Sequence, residues 1–453
     1  MRGLTSTIIL VLVLAGLGAY IYFVDSKKPA GGLEEKQKVF TVEADKINEV
    51  TVTAENETTS LKKENGTWKI TAPLATDADS NEVSSLTSAL AALEVNRVVD
   101  ENATNLSEYG LAQPRIKLAF KAEGGANGEI FLGEKTPTQS DMYATRPGEK
   151  RVFLVQAFQE SSLAKKTFDL RDKRVLHFDR DKVDLIEVTQ PSSPAVQLAR
   201  SGSDWMVKQP IQTRGDYSAV EGLLTRLSTA AMTKLIDPNG PESFGLDKPA
   251  AVVTLGAGST RATLEFGEEK DGAVYARDVA RQILFTVDPA LATDVKKSVD
   301  DFRDKDLFEF RTFNAQRVRV VRGTETFEFQ KVAGAGQNPT DKWQRVSDGK
   351  TTDLDTTKVE DFLSKLAALR AQSFNPTTNA AGNAEPALVA SASYETNKFE
   401  RVRFIKGDKQ MFGVREGETG VAVVDQSAFD ETMKALDAAV APPTPAAAPA
   451  PQK

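Results

Sequence analysis

The chain has 453 residues, of which 40% are hydrophobic and 27% charged, a globular composition whose length suggests about three domains. A formal net charge of −7 and the absence of a long basic run argue against nucleic-acid binding. With no cysteine, the chain has no disulfide, thiolate nucleophile or cysteine-based metal site. Its one histidine, His177, excludes a site built on several imidazoles, and we expect no metal and no cofactor.

The amino-terminal region carries a long apolar stretch. Residues 4–24 contain no charged side chain and, as a helix, would span roughly 30 Å, the thickness of a bilayer core. A cleaved signal peptide is the alternative, but its apolar core would be shorter, and this stretch ends in the aromatic run "AYIYF" typical of a membrane interface. We therefore predict a cytoplasmic N-terminus at 1–3, a single-pass inner-membrane anchor at 4–24 and a linker at 25–38, with the bulk of the chain extracytoplasmic.

The three tryptophans of the chain lie at nearly constant spacing. Trp68 lies in "NGTWKITAP", Trp205 in "GSDWMVKQP" and Trp343 in "TDKWQRV", with separations of 205 − 68 = 137 and 343 − 205 = 138 residues. Repeats of this length indicate tandem domains, because solenoid repeats run about 20–50 residues. We predict three modules, at 39–176, 177–307 and 308–437, and a disordered Pro/Ala-rich tail at 438–453.

Each tryptophan is followed by an acidic stretch and then by apolar residues at helical spacing. In the first copy, "DADSNEVSSLTSALAAL" places Val83, Leu86 and Leu90 on one helical face. Alternating segments bounded by glycine, such as "GEIFLGEKT" and "ATLEFGEEK", indicate hairpins. The predicted fold class is α+β: a transmembrane helix and then three homologous α+β modules, each with mainly antiparallel strands and one main helix.

Two further elements recur, an aromatic-Gly-Leu triplet and an Asp-x-Arg-Asp motif at the end of a module. They are Tyr109, Gly110 and Leu111 with Phe244, Gly245 and Leu246, and Asp169, Arg171 and Asp172 with Asp301, Arg303 and Asp304.

These elements have structural and functional interpretations. The tryptophans are either core anchors or stacking platforms, and the triplets are either glycine turns or exposed aromatic loops. The Asp-x-Arg-Asp motifs are either ion-pair latches at module junctions or anion clamps. Because the elements repeat once per module, we favour the structural interpretation of each. His177 has no nucleophile motif beside it, and we predict no catalytic residue.

The combination of these motifs resembles the bacterial domain of unknown function family 4340. The residues that carry the resemblance are the tryptophan hairpin, "EYGLAQP", "FLGEKTP" with "MYATR", and "FDLRDKRVL". It implies a single-pass membrane protein that often accompanies ABC-type export systems of the gliding-motility auxiliary type. The family offers no catalytic residues to carry over.

We therefore expect a non-enzymatic, membrane-anchored scaffold or accessory subunit of a bacterial envelope complex, for which an ABC-type transport system is one candidate. The expected partners are the membrane and proteins of that complex, without nucleic acid. An alternative is an ectodomain that binds polysaccharide or peptidoglycan through repeated weak sites, with cell-wall glycan as its partner. A third hypothesis is a carboxylate-based hydrolase.

Overall fold

The computed structural model describes residues 37–237, 243–334, 341–375, 384–407 and 410–441. By its internal contacts the chain divides after Lys173 into two compact units. Among the described residues, no helix is both long enough and apolar enough to cross a membrane. The anchor at 4–24, the linker to residue 36 and the tail from 442 lie outside the described residues and stay predictions.

Three antiparallel sheets of nine strands each dominate the structure. Numbered along the chain, the first sheet has the spatial order β4-β3-β2-β1-β6-β7-β8-β9-β5, and the second and third repeat this order. Its strands are β1 Ile47–Ala54, β2 Glu57–Glu64, β3 Thr67–Ala72, β4 Thr76–Asp77, β5 Arg97–Asp100, β6 Ile116–Ala122, β7 Asn127–Lys135, β8 Asp141–Thr145 and β9 Val152–Gln156.

The other two sheets lie in the second unit. The second sheet comprises β10 Leu185–Gln190, β11 Ser193–Ser201, β12 Asp204–Gln209, β13 Thr213–Arg214, β14 Lys234–Leu235, β15 Ala251–Ala257, β16 Thr260–Lys270, β17 Ala273–Asp278 and β18 Ile283–Val287. The third comprises β19 Ala315–Arg322, β20 Glu325–Val332, β21 Lys342–Ser347, β22 Lys350–Asp353, β23 Ala371–Asn375, β24 Leu388–Tyr394, β25 Lys398–Lys406, β26 Met411–Arg415 and β27 Val421–Val424. The identical strand order confirms the internal repeat.

Between the fourth and fifth strand of each sheet lies one main helix. The α-helices are α1 Ser80–Ala91, α2 Glu160–Leu163, α3 Thr167–Leu170, α4 Tyr217–Thr229, α5 Pro289–Val295, α6 Thr356–Ala367 and α7 Gln426–Val440. Short 3-10 turns occur at Ala44–Lys46, Leu106–Tyr109, Glu123–Gly125, Ala157–Gln159, Arg180–Lys182 and Val299–Asp301.

The main helices begin at aspartate caps and bury the apolar stripe predicted from spacing. Asp79 and Asp355 each accept hydrogen bonds from two backbone amides at the start of α1 and α6, and Asp216 accepts one at the start of α4. In α1 the stripe Val83, Leu86 and Leu90 is buried in the core of the first sheet. Burial of one such side chain contributes about 1.5–3 kcal/mol, so the stripe fixes which face of the helix meets the sheet.

The predicted α+β class is wrong, because strands account for 45% of the structure and helices for only 22%. The helix-like runs are shorter than the sequence suggests. After α1 the chain forms β5, which pairs with β9, and after α6 it forms β23, which pairs with β27. Segments that look like helix ends or loops are thus recruited as edge strands by partners more than 45 residues away, and local periodicity does not contain that information.

Candidate functional site

The three tryptophans are buried in the cores of their sheets. Trp68 on β3, Trp205 on β12 and Trp343 on β21 are 6%, 1% and 0% exposed. Trp205 Nε1 also donates a hydrogen bond of 2.9 Å to Glu221 Oε1 on α4. A ring needs an open face to stack on a sugar or a partner chain, so these positions act as anchors between strand and helix.

The aromatic-Gly-Leu triplets are tight turns packed closely against neighbouring backbone. Gly110 and Gly245 have φ of +69° and +72°, which favours glycine. A Cβ on Gly110 would also lie 2.8 Å from the backbone nitrogen of Glu134, so the approach itself needs a missing side chain. The aromatic residues contact half-buried tyrosines: Phe244 stacks on Tyr275 with ring centroids 4.4 Å apart, and the Tyr109 and Tyr143 rings are tilted, with centroids 5.1 Å apart. Leu111 and Leu246 are buried.

The first aspartate of each Asp-x-Arg-Asp motif caps its own turn. Asp169 accepts a hydrogen bond of 3.0 Å from the backbone N–H of Lys166, and Asp301 accepts one of 2.8 Å from that of Ser298. The arginine that follows is buried in both copies, and its backbone bridges to the segment before the main helix, Arg171 to Ala78 and Arg303 to Gly215. Asp172 is buried in the first unit, where its N–H donates to Asp77 O at 2.9 Å.

In the second unit, Arg303 and Arg214 join the second sheet to the third. Arg303, 3% exposed, stacks 3.6 Å from the ring centroid of Phe374 and donates to the carbonyl of Thr419 at 3.2 Å. Arg214, at the end of β13, donates to Glu418 Oε1 at 2.5 Å and to Asp304 Oδ2 at 2.7 Å. Burial raises the pKa of Asp304, and the charge of Arg214 offsets only part of that rise.

A second arginine from the third sheet completes this network. Arg415 lies 2.5 Å from the buried Glu400, 3.2 Å from Glu309 and 3.3 Å from Glu418. Glu400 also accepts the backbone N–H groups of Glu309 and Phe310 at 3.0 and 2.9 Å. We call Arg214, Arg303, Arg415, Asp304, Glu309, Glu400 and Glu418 the junction network. Arg214 and Arg415 pair with carboxylates of the network, as buried ionic groups must, and Arg303 lies 3.5 Å from Asp300 outside it.

Tyr394 extends the junction network and is held in its neutral form. Its hydroxyl donates to Glu309 Oε2 at 2.9 Å. Burial, the charge of Glu400 and this hydrogen bond all raise the pKa of Tyr394. Burial also tends to raise the pKa of Glu309, but the hydrogen bond from Tyr394 and the charges of Arg214 and Arg415 outweigh it and lower the pKa. The network thus places four carboxyl groups around three arginines, with one neutral phenol bound to Glu309.

The first unit contains an open polar cleft of about 770 Å³. It lies between the β1–β2 turn, the segment before β6 and α2, and its lining includes Asn56, Gln113, Arg115, Lys117 and Glu160.

One acid in this cleft, Glu160, is held between two cations. Its carboxylate lies 2.6 Å from Arg115 Nη2 and 2.5 Å from Lys135 Nζ. Burial raises the pKa of Glu160, but the hydrogen bonds from Lys135 and Arg115 outweigh it and lower the pKa. The second copy has Ala250 in place of Arg115, so this arrangement belongs to the first copy alone.

The remaining candidate for acid–base chemistry, His177, is half-buried, and its Nε2 lies 3.5 Å from Arg281 Nη1. The aspartates Asp79 and Asp355 are occupied in capping helices. Across the part of the chain that the structure describes, no group of three or more His, Asp or Glu side chains is arranged to hold a metal ion.

Comparison with known proteins gives one family. The model of a family described as "Domain of unknown function (DUF4340)" matches twice, over residues 68–243 and 205–390. The chain belongs to this family. The two matches each begin at a tryptophan, Trp68 and Trp205, and together they confirm the resemblance seen in the motifs. No curated protein matches this DUF4340 chain.

Solved structures show only weak similarity to it. A DNA polymerase sliding clamp from Pseudomonas aeruginosa with ligand is 9% identical over 85% of this chain and 92% of that chain, with a TM-score of 0.16. A putative 6-phosphogluconolactonase from Bacteroides uniformis is 9% identical over 83% of each chain, with a TM-score of 0.07. At these scores neither structure supports an inference about this DUF4340 protein.

Sequence reasoning missed most of the junction network. It singled out Arg303 and Asp304 from the repeated motif, but Arg214 and Glu418 lie 204 residues apart and are not part of a motif that recurs. In the first copy Asp77 occupies the place of Arg214, just before the main helix. This difference between the copies, at a position near the helix cap, was the one sequence signal that pointed to Arg214.

Proposed function

We propose that this protein is a non-enzymatic scaffold or accessory subunit of a bacterial envelope complex, with an ABC-type transport system as the candidate complex. The apolar stretch at 4–24 would hold it at the cytoplasmic membrane with the bulk of the chain outside the cytoplasm. The junction network is the observation that carries this proposal. Its three arginines, Arg214, Arg303 and Arg415, join two sheets into one unit, which is a structural use of these charged groups.

The chemistry of the acid in the open cleft supports a role of that cleft without catalysis. A general acid in a glycoside hydrolase needs a carboxyl whose pKa is raised. In the cleft of the first unit, the pKa of Glu160 is instead lowered by two cations. The three tryptophans, the obvious platforms for a sugar ring, are buried.

Affinity purification of the tagged full-length protein from crosslinked native membranes tests the proposal. We expect transporter subunits to be recovered with the native chain and with Arg226→Met, whose ion pair to Asp294 lies within the second sheet's own region. An Arg214→Met/Arg415→Met chain should recover fewer of them, because the joined unit is disrupted. Repeated recovery of no transporter subunit with the native chain would refute the transporter assignment.

A second candidate function, glycan binding, is favoured by the open polar cleft of the first unit. Its amides and cations, Asn56, Gln113 and Lys117 among them, are groups that bind sugar hydroxyls and carboxylates. Retention of the protein on purified cell-wall material should then fall in Gln113→Ala/Lys117→Ala and persist in Lys208→Ala, a control on the second sheet. If the native chain is not retained, this function is excluded.

A further inference from the structure

The outer face of the third sheet carries four exposed arginines. Arg317 and Arg319 project from β19, and Arg401 and Arg403 project from β25. The strand between them, β24, presents Ser391 and Ser393 on this face. On these strands the alternate residues face the core, so the four guanidinium groups share one side of the sheet.

The strand register places these side chains around the central serine. Arg319 and Arg401 both pair with Ser391, from opposite sides, while Arg317 pairs with Ser393. Strands lie about 4.8 Å apart, so Arg319 and Arg401 start about 10 Å apart across a floor of small side chains. Long arginine side chains rooted at that separation can reach a common ligand above Ser391. We call Arg317, Arg319, Arg401 and Arg403 the arginine face.

The other two sheets do not carry this feature at the same positions. β1 and β19 each have a β-bulge near their start, at Ile47/Glu49 and Ala315/Arg317, and this shared bulge gives the residue-by-residue alignment of the first and third sheets. The positions matching the arginine face are Glu49, Thr51, Glu129 and Phe131 in the first sheet, and Leu185, Glu187, Thr263 and Glu265 in the second. The third sheet thus has four positive charges where each of the other two sheets has two negative charges. The shared fold does not require this difference.

Neighbouring acids neutralise only part of the arginine face. Arg317 lies 3.3 Å from Glu328, and Arg401 lies 3.8 Å from Glu416. Neither Arg319 nor Arg403 has an acid within ion-pair distance among the described residues. In a chain of net charge −7, this local excess of positive charge stands out as a binding surface for anions.

The composition of the surface favours a protein partner. Arginine, whose planar fork binds a carboxylate through two hydrogen bonds, is enriched at protein interfaces together with aromatic residues, whereas lysine is depleted. All four cations here are arginines, and Phe399, 58% exposed, pairs with Ser393 beside them. An anionic membrane surface would be served equally by lysine, whose point charge needs no fixed geometry.

We propose that the arginine face docks an acidic segment of a protein partner, with carboxylates of that segment held by Arg319 and Arg401 above Ser391. The proposal names the chemistry of a partner and does not depend on which envelope complex the chain serves. It goes beyond the scaffold role because it assigns the contact to one face of one module.

Fluorescence anisotropy of the full-length protein with a labelled octaglutamate peptide tests the proposal. We expect binding that weakens with salt and falls at least tenfold in Arg319→Glu/Arg401→Glu. Arg319→Lys/Arg401→Lys keeps the charge but loses the fork and should weaken binding severalfold. Lys121→Glu/Lys208→Glu, which makes the same charge change at exposed positions on the other two sheets, should leave binding within twofold.

Three outcomes would overturn the proposal. The first is the absence of octaglutamate binding at low salt. The second is an equal loss in the Lys121→Glu/Lys208→Glu control, which would assign binding to overall charge. The third is arginine-dependent binding to phosphatidylglycerol vesicles but not to the peptide, which would make the partner a membrane. Failure to recover transporter subunits from cells would leave these results unchanged, so the two proposals fail separately.

Discussion

The substitution Arg214→Met tests whether the junction network holds the second and third sheets together. Methionine keeps much of the length and apolar contact of arginine but removes its charge and its donors. In the native protein the Arg214 side chain is 15% exposed and binds Glu418, Asp304 and the carbonyl of Asp306. The substitution leaves two largely buried carboxylates without this cation.

The expected loss is about 3 kcal/mol. Removing one partner of a buried ion pair destabilises a protein by about 3–5 kcal/mol, because the other charge stays buried and uncompensated. The lower end applies here, because Arg415 Nε remains 3.3 Å from Glu418 and still compensates part of the negative charge of Glu418. Arg226→Met is the control: this exposed pair with Asp294 contributes less than about 1 kcal/mol.

Hydrogen exchange with mass spectrometry measures the effect where the sheets meet. The backbone N–H of Thr419 donates to Gln212 O at 3.1 Å, so its exchange reports separation of the two sheets. A loss of about 3 kcal/mol predicts exchange faster by about a hundredfold. Peptides from β1 in the first unit should exchange as before. Acceleration below fivefold, or equal to that in Arg226→Met, would refute the assignment of Arg214 as a buried junction cation.

Three further predictions follow from the cores and the cleft. Gly110→Ala should destabilise the first unit by about 3 kcal/mol, because alanine disfavours the positive φ and its Cβ would clash with the Glu134 backbone. Gly66→Ala, which also has a positive φ but open space around it, should cost about 1 kcal/mol. Hydrogen exchange of β6 and β7 compares the two variants, and equal effects would contradict the packing argument. Trp343→Ala should lower the free energy of unfolding by about 3–5 kcal/mol in urea titrations, and a loss under 1 kcal/mol would contradict its burial. Glu160→Gln should destabilise the first unit by about 1 kcal/mol at pH 7. Because the folded-state pKa of Glu160 is lowered, its stabilisation is present above the unfolded pKa of about 4.3 and is lost as pH falls through the folded pKa. In acid-unfolding curves the difference from the native chain should therefore shrink below the unfolded pKa and disappear below the folded one.

Features that depend on neighbouring residues could be read from the sequence. The spacing of Trp68, Trp205 and Trp343 identified the repeat, and the family match confirms it. The apolar stripes of the main helices and the aspartates that cap them were also predictable from the sequence, because helix periodicity and capping act within one or two turns. The same holds for the glycine of the aromatic-Gly-Leu turns, since a positive φ is a property of a single residue.

Features that depend on strand register were decided only by the tertiary structure. The nine-stranded sheets recruit short edge strands such as β5 and β23, whose partners lie far away in the chain. The junction network joins Arg214 to Glu418 across 204 residues, and the arginine face joins Arg319 to Arg401 through Ser391. No local pattern encodes these contacts, because each depends on which strands become neighbours and on their alignment to a single residue.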